Sequence, residues 1–90
     1  MPLNRGMIFP FQKNGAYSFW MKGMKFSIDI IYIKNDKITD IFPNLPFPRT
    51  ATETPAIVTP HGKINYVLEI NSGLSQKYNF KVGDKIVLHL

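Results

Sequence analysis

Five side chains of this 90-residue chain are the candidates for binding a ligand or transferring protons. Trp20 ends an aromatic run, where an indole ring can either stack on a ligand or anchor the core, and Lys22 follows two residues later. Asp29 and Glu69 are carboxylates inside strongly apolar runs, and His61 follows a proline-rich segment. Two carboxylates on neighbouring strands can act as general acid and general base, and a histidine can assist them.

Each of these side chains also has a purely structural interpretation. An aspartate in an apolar strand usually accepts hydrogen bonds from a turn or pairs with a lysine, here Lys22 or Lys25. His61 has no partner that the sequence reveals, and nothing places Glu69 beside Asp29. Because no nucleophile or glycine-rich phosphate loop accompanies them, we name no catalytic residue and favour a binding module over an acid/base hydrolase-like enzyme.

Composition indicates one folded domain covering residues 1–90. The chain is 44% hydrophobic and 13% aromatic, which is enough for one small core. Without cysteine there is no disulfide or thiolate metal site, and two histidines are too few for a metal cluster, so we expect no metal and no cofactor. No apolar run is long enough for a bilayer and no signal peptide is visible, so the expectation is a cytoplasmic protein without a membrane partner.

The formal net charge of +5 raises the question of a polyanionic partner. The lysines are scattered along the chain and form no dense run, which is typical of a solvated surface. Nucleic acid is therefore not favoured as a partner. It stays a third hypothesis, in which Trp20, Tyr17 and lysines of a small barrel bind a single strand by stacking and charge.

Short β-prone runs separated by turn signals predict a mainly β fold: a small antiparallel barrel or sandwich of about six strands with one short helix. Asn14 and Gly15 suit a hairpin turn, so the first four strands are expected to form a meander. Pro10 indicates an edge strand or a bulge. A weak helix of two turns is expected after Asn71. The predicted strands cover residues 6–11, 16–21, 26–34, 37–42, 63–70 and 81–90.

Residues 43–62 are unusually rich in proline and threonine. Proline at this density blocks helix interiors and central strands, so the segment is predicted to be a long loop. Loops of this length without regular structure are uncommon and are often functional. We expect it to form the rim or lid of a groove near Trp20.

The order of several motifs resembles a known family. The runs "NRGMIFPF", "YSFWMKGMKFSIDIIYI" and "YVLEINSGLSQKYNFKVGDKI" are similar, in order and spacing, to the prokaryotic family called domain of unknown function 192. The resemblance covers nearly the whole chain and implies a small, mainly β domain with an aromatic-rich sheet and no established activity. The matching positions are Gly6, Met7, Phe9, Phe19, Trp20, Met21, Lys22, Asp29, Leu68, Glu69, Gly83 and Asp84.

The sequence departs from the family pattern at two places. The Asn-Thr pair that usually follows the lysine is Gly23-Met24 here, which removes two polar side chains beside the tryptophan. Family members also usually carry an N-terminal strand and an Arg-Gly-Leu-Met run before the point where this chain starts. We expect either an open sheet edge that supports a homodimer or a longer natural chain.

The sequence thus favours a small binding or accessory module whose ligand is a small molecule or a peptide. Its groove is predicted to contain Trp20, Lys22, Asp29 and Glu69, with His61 at the end of the proline-rich rim.

Overall fold

Six β-strands and one short helix form the part of the chain that the computed structural model describes, residues 6–86. The strands and helix are β1 (Met7–Gly15), β2 (Phe19–Trp20), β3 (Ile28–Lys34), β4 (Lys37–Leu45), β5 (Ile57–Val58), β6 (Ile64–Asn71) and α1 (Leu74–Lys77). The expected mainly β fold with one short helix is confirmed.

The four longer strands form one antiparallel sheet in the order β1-β6-β3-β4. β3 lies inside this sheet, and all its residues from Ile28 to Ile33 are buried. A run of β-branched side chains suits a strand that is covered on both faces. A tight turn at Asn35 and Asp36 joins β3 to β4 and lies between the two strands predicted over 26–34 and 37–42.

A second sheet, made of β2 and β5, packs on one face of the larger sheet. The Tyr32 hydroxyl of β3 donates a hydrogen bond across the interface to the Val58 carbonyl oxygen of β5, at 3.3 Å. The structure is therefore sandwich-like and not a closed barrel. The buried core between the two sheets consists of Met21, Ile28, Ile30, Tyr32, Leu45, Ile64 and Val67.

The opposite face of the larger sheet has a second core, to which Leu74 of α1 and the C-terminal segment contribute. This segment follows the outer edge of β4, where Lys85 forms a β-bridge with Lys37. Where a strand was predicted over 81–90, residues 81–86 form a turn at Val82 and Gly83 and this single bridge, and residues 87–90 lie outside the described residues. The buried residues of this core are Ile31, Ile33, Ile38 and Ile70.

The predicted meander of the first strands is wrong, because β1 pairs with β6 and not with β2. Asn14 and Gly15 continue β1 in place of the expected hairpin turn. Gly15 is needed there for another reason: a Cβ would lie 2.9 Å from the ring of Tyr17. The prediction that Pro10 marks an edge strand is confirmed, because β1 is at the edge of its sheet.

The proline-rich segment contains regular structure that the sequence analysis missed. β4 extends to Leu45, and β5 occupies Ile57 and Val58 between two prolines. The segment is held against β2 by strand pairing and by a 2.9 Å hydrogen bond from the Met21 N–H to the Ala56 carbonyl oxygen. Prolines at both sides limit this strand to two residues because proline donates no ladder hydrogen bond.

The helix is shorter than predicted. Gly73 precedes it with a positive φ of 91°, and α1 ends at Lys77 after about one turn. Within residues 6–86, no helix has the length and apolar character needed to cross a membrane.

Candidate functional site

A cleft of about 520 Å³ opens beside Trp20. Its volume is within the range of small-molecule sites, about 300 to 1,000 Å³. The β2–β3 connection and the proline-rich segment form its walls, so the structure brings Trp20 and Lys22 together with the predicted rim. The other lining residues are Gly23, Met24, Lys25, Pro48, Arg49, Thr50, Ala51, Glu53 and Pro55.

Strand alternation points the indole ring of Trp20 outwards. Met21, the next residue, is completely buried in the core between the sheets, whereas Trp20 is 52% exposed. The Lys22 Nζ lies 4.9 Å from the centroid of the Trp20 ring, which is the geometry of a cation–π contact. The cleft therefore contains an accessible aromatic ring that is already next to a positive charge.

A tight turn at Gly23 keeps the cations of this connection close to Trp20. Gly23 has a φ of +79°, and the Met24 N–H donates to the Met21 carbonyl oxygen at 3.1 Å. Asparagine tolerates this left-handed conformation better than most residues. Both glycine and the asparagine of the family pattern thus satisfy the same backbone requirement.

Positive charge dominates the cleft. Lys22, Lys25 and Arg49 line it, against the single carboxylate of Glu53. That carboxylate already accepts a 3.0 Å hydrogen bond from the Arg49 backbone N–H. A cationic cleft with an aromatic ring favours ligands that combine an anionic group with a flat apolar part.

Asp29 lies away from this cleft and is fully buried. Its carboxylate accepts hydrogen bonds from the backbone N–H groups of Asn44 (2.8 Å), Gly73 (3.1 Å) and Ser75 (2.9 Å), and from the Ser75 hydroxyl (2.6 Å). Burial by itself raises the pKa of Asp29, but these hydrogen bonds outweigh burial and hold the pKa below its ordinary value. Asp29 thus links β3 to the end of β4 and to the start of α1.

Glu69 points to the other face of the sheet. It is opposite Ile30 on β3, whereas Asp29 is opposite Ile70 on β6. Since neighbouring residues of a strand point to opposite faces, the two carboxylates do not meet as an acid/base pair. Glu69 is 8% exposed, and burial raises its pKa above the ordinary value.

His61 has a partner that the sequence did not reveal. Its Nδ1 forms a hydrogen bond with the carboxylate of buried Asp40, while the imidazole is 92% exposed. Burial raises the pKa of Asp40, but hydrogen bonds from His61 and Thr39 outweigh this effect and lower it. The pair orients the imidazole towards solvent, and His61 does not line the cleft beside Trp20.

Tyr17, which the nucleic-acid hypothesis paired with Trp20, lies outside the cleft. Its ring stacks on Phe11 with centroids 4.1 Å apart and an angle of 8° between the planes. Its hydroxyl donates a 2.8 Å hydrogen bond to the Lys13 carbonyl oxygen. Trp20 is therefore the aromatic residue that lines the cationic cleft.

Sequence reasoning missed Arg49 and Asp40. Arg49 lies in a proline-rich stretch, and a cation in a stiffened rim is a signal that could have been used. Asp40 alternates with buried Ile38 in β4, which marks it as a carboxylate facing the interior. Among residues 6–86 there is no group of three or more His, Cys, Asp or Glu side chains that could hold a metal ion.

The fold and cleft define a small two-sheet β domain with a cationic, aromatic cleft beside its smaller sheet. The chain belongs to the DUF192 family: the family model, described as "Uncharacterized ACR", matches residues 1–88. The resemblance stated from the sequence is therefore confirmed. None of the curated proteins matches the chain.

Two solved structures share the fold. A protein of unknown function from Novosphingobium aromaticivorans has a TM-score of 0.84 and 28% identity over 98% of this chain. A Sinorhizobium meliloti protein, provisionally described as a transcription regulator, has a TM-score of 0.80 and 28% identity over 94% of this chain. The matches cover 60% and 63% of those two chains, respectively, so this chain spans less than two thirds of either.

Proposed function

We propose that this domain is a binding module whose cleft beside Trp20 takes a small ligand with an anionic group and a flat apolar face. The observation that carries this proposal is the 52% exposed Trp20 ring in one cleft with Lys22, Lys25 and Arg49. Indole rings stack well on flat ligands, and lysine and arginine hold carboxylates and phosphates. The cleft therefore offers both halves of such a ligand a matching surface.

The size of the cleft supports a small ligand over a polymer. A volume of about 520 Å³ accommodates one ring system with its charged substituent. Binding of single strands usually uses successive stacked bases on several aromatic side chains. With Tyr17 packed on Phe11, the cleft supplies one stacking platform.

Single-stranded nucleic acid is the second candidate. The net charge of +5 favours it, as does the similarity to a structure provisionally described as a transcription regulator. Binding to oligonucleotides would weaken steeply with salt, because cations that neutralise phosphates release counterions. A shallow salt dependence together with tight binding of a single aryl anion supports the small ligand.

Trp20 provides the readout for the experiment because it is the single tryptophan of the chain. We expect phenyl phosphate to quench its fluorescence at lower concentration than phenol, which has the same ring without the charge. Lys22→Gln and Arg49→Gln should each weaken phenyl phosphate binding about tenfold, which corresponds to about 1.4 kcal/mol.

The matched control is Lys63→Gln, which removes one positive charge from an exposed residue outside the cleft. This variant should bind phenyl phosphate as the unmodified chain does. Equal quenching by phenol and phenyl phosphate, or an equal loss in all three variants, would contradict the proposal.

We also propose a homodimer formed through the outer edge of β1. Within residues 6–86, β1 pairs with β6 on one side and has no strand on the other. Unpaired edges readily add a strand from a second chain. Analytical ultracentrifugation tests this, because a monomer at high protein concentration counts directly against it. The lack of cysteine suits a cytoplasmic location for the module.

A further inference from the structure

A second groove lies beside Glu69, next to the cleft at Trp20. It consists of two adjoining depressions of about 330 and 300 Å³, and both are lined by Phe9 and Glu69. Four of the eight residues that line the larger one are aromatic, and Val67 also lines it. We call the two depressions together the Glu69 groove. Phe9, Phe11, Tyr17, Phe19 and Glu69 line its larger part, and Met7, Met24 and Lys25 line its smaller part.

The groove follows from the unequal size of the two sheets. β2 and β5 have two residues each, so they cover only part of the four-stranded sheet below them. Towards the β1 edge, Met7 is 48% exposed and Phe9 is 37% exposed. Phe9 is opposite Val67, which lies in the core between the two sheets, and Met7 is opposite Glu69. Residues directly opposite each other on paired strands point to the same face, so Met7 and Phe9 face the smaller sheet. An apolar surface therefore stays accessible on the face that carries Glu69.

Glu69 lies between these apolar side chains without a partner in residues 6–86. The ion pairs of this part of the chain are His61–Asp40 and Lys85–Asp36, and burial alone accounts for the altered pKa of Glu69. No side-chain oxygen or nitrogen in this part is both fully buried and unbonded, so the carboxylate oxygens reach the surface of the groove. Glu69 is 8% exposed as a residue and lies among apolar side chains, and a carboxylate in such surroundings is stabilised by a cation that reaches it.

We propose that the Glu69 groove binds an organic cation, a primary ammonium group carried on an aromatic or alkyl body. The carboxylate supplies the charge complement for the ammonium group. The aromatic rings attract cations through their faces and provide apolar contact for the body of the ligand. This site goes beyond the function proposed above and does not depend on it, because its charge is supplied by Glu69, which does not line the cleft at Trp20; Lys25 lies between the two sites and lines both.

Lys25 is the cation that the groove itself contains. It lines the smaller depression, but it forms no ion pair with Glu69. Its positive charge opposes binding of an ammonium group without neutralising the carboxylate. Lys25→Gln should therefore tighten cation binding, whereas Glu69→Gln should weaken it.

The experiment uses three probes of similar size: 2-phenylethylammonium, neutral 2-phenylethanol and anionic 3-phenylpropionate. Binding is followed by NMR of the Met7 methyl group, since Met7 lines the groove and not the cleft at Trp20. The ammonium should bind about ten to a hundred times more tightly than the alcohol, as charge-assisted hydrogen bonds are stronger than neutral ones. In Glu69→Gln this preference should disappear, while Asp36→Asn, an equal loss of charge outside the groove, should keep it.

A pH series tests the same site without a substitution. Ammonium affinity should fall as pH drops through the raised pKa of Glu69, while affinity for the alcohol stays constant. The other titratable side chains that line the groove are Tyr17 and Lys25.

Four results would overturn the proposal. The first is equal affinity for the ammonium and the alcohol, and the second is an unchanged preference in Glu69→Gln. The third concerns Arg5, which precedes the described residues: if Arg5→Gln binds the ammonium and the unmodified chain does not, the protein supplies the cation itself. Loss of the ammonium preference when sedimentation shows a dimer would likewise assign the groove to a second copy of the chain.

Discussion

Asp29 and Glu69 are both buried carboxylates on neighbouring strands of one sheet, yet they differ in their hydrogen-bond partners and in the direction of their pKa shifts. Asp29 accepts four hydrogen bonds, and its pKa lies below the ordinary value. Glu69 has no bonded partner in residues 6–86, and burial raises its pKa. The surroundings of a carboxylate thus differ between the two faces of the sheet, because backbone N–H groups of β4 and the start of α1 lie on one face and aromatic rings lie on the other.

This difference separates a structural role from a functional candidate. A buried charge with all its hydrogen bonds made holds chain segments in place and is not available to a ligand. A buried charge without partners is unfavourable for folding, and a ligand of opposite charge relieves that penalty. Burial and residue type alone do not distinguish the two cases.

The largest expected effect is the loss of stability on removal of the Asp29 carboxylate. Asp29→Ala leaves three backbone N–H groups and one hydroxyl without their acceptor. We expect the free energy of unfolding to fall by about 3 to 5 kcal/mol. Urea unfolding followed by Trp20 fluorescence measures it, and Asp36→Ala, with an exposed 3.6 Å ion pair, should lose less than about 1 kcal/mol.

The same comparison has a pH dependence. The folded-state pKa of Asp29 lies below the ordinary value of 3.8. Its contribution to stability is therefore present above pH 3.8 and is lost as pH falls through the folded-state pKa. Asp29→Asn should be less stable at neutral pH and lose less stability on acidification. Parallel acid denaturation curves for this variant and the unmodified chain would show that Asp29 is not the stabilising carboxylate.

An effect of opposite sign and smaller size is expected at Glu69. Its folded-state pKa is raised above 4.5, so its contribution is present below pH 4.5 and is lost as pH rises through the folded-state pKa. Glu69→Gln removes this decline and should raise the free energy of unfolding at pH 7 by about 1 kcal/mol. The stability gap between variant and unmodified chain, measured by thermal unfolding, should widen from pH 4.5 to 7. A destabilised variant at pH 7 would mean that a donor satisfies Glu69 in solution.

The smallest effect is expected at His61, whose imidazole is 92% exposed. His61→Ala removes its side-chain bond to Asp40 but keeps the hydrogen bonds from the His61 backbone N–H and the Thr39 hydroxyl. Because the imidazole end of this bond is exposed and the two other donors still satisfy Asp40, the loss should be about 0.5 kcal/mol. NMR titration should show a higher pKa for Asp40 in this variant. If His61→Ala lowered the free energy of unfolding as much as Asp29→Ala does, the His61–Asp40 bond would stabilise the fold as much as the Asp29 hydrogen bonds do.

Local sequence signals were sufficient for the central strands. The dense β-branched run predicted over 26–34 is β3, and the run predicted over 63–70 is β6 with a shift of one residue. The turn at Asn35 and Asp36 follows from the residues themselves. The family was also recognisable, since its motifs keep their order along the chain.

Strand pairing was the part that local signals could not provide. Asn14 and Gly15 have the composition of a hairpin turn, but pairing with β6 keeps them extended in β1. β5 was missed because two residues between prolines carry no periodicity. Contacts between segments far apart in sequence decided both features.

The candidate site, like the fold, could be predicted only in part from the sequence. The sequence placed Trp20, Lys22 and the proline-rich rim together because they are aromatic, cationic and stiff segments near one connection. It could not give the Asp40 partner of His61, since the two residues are 21 positions apart and meet only after folding.

The sequence alone determined that the chain forms a mainly β domain and which side chains are chemically capable of binding. Residue type and alternation fix these properties locally. Tertiary structure alone decided that Asp29 is satisfied by the backbone of β4 and α1 and that Glu69 faces an apolar groove. The physical reason is that the pKa and availability of a carboxylate depend on the donors and rings that other segments bring to it.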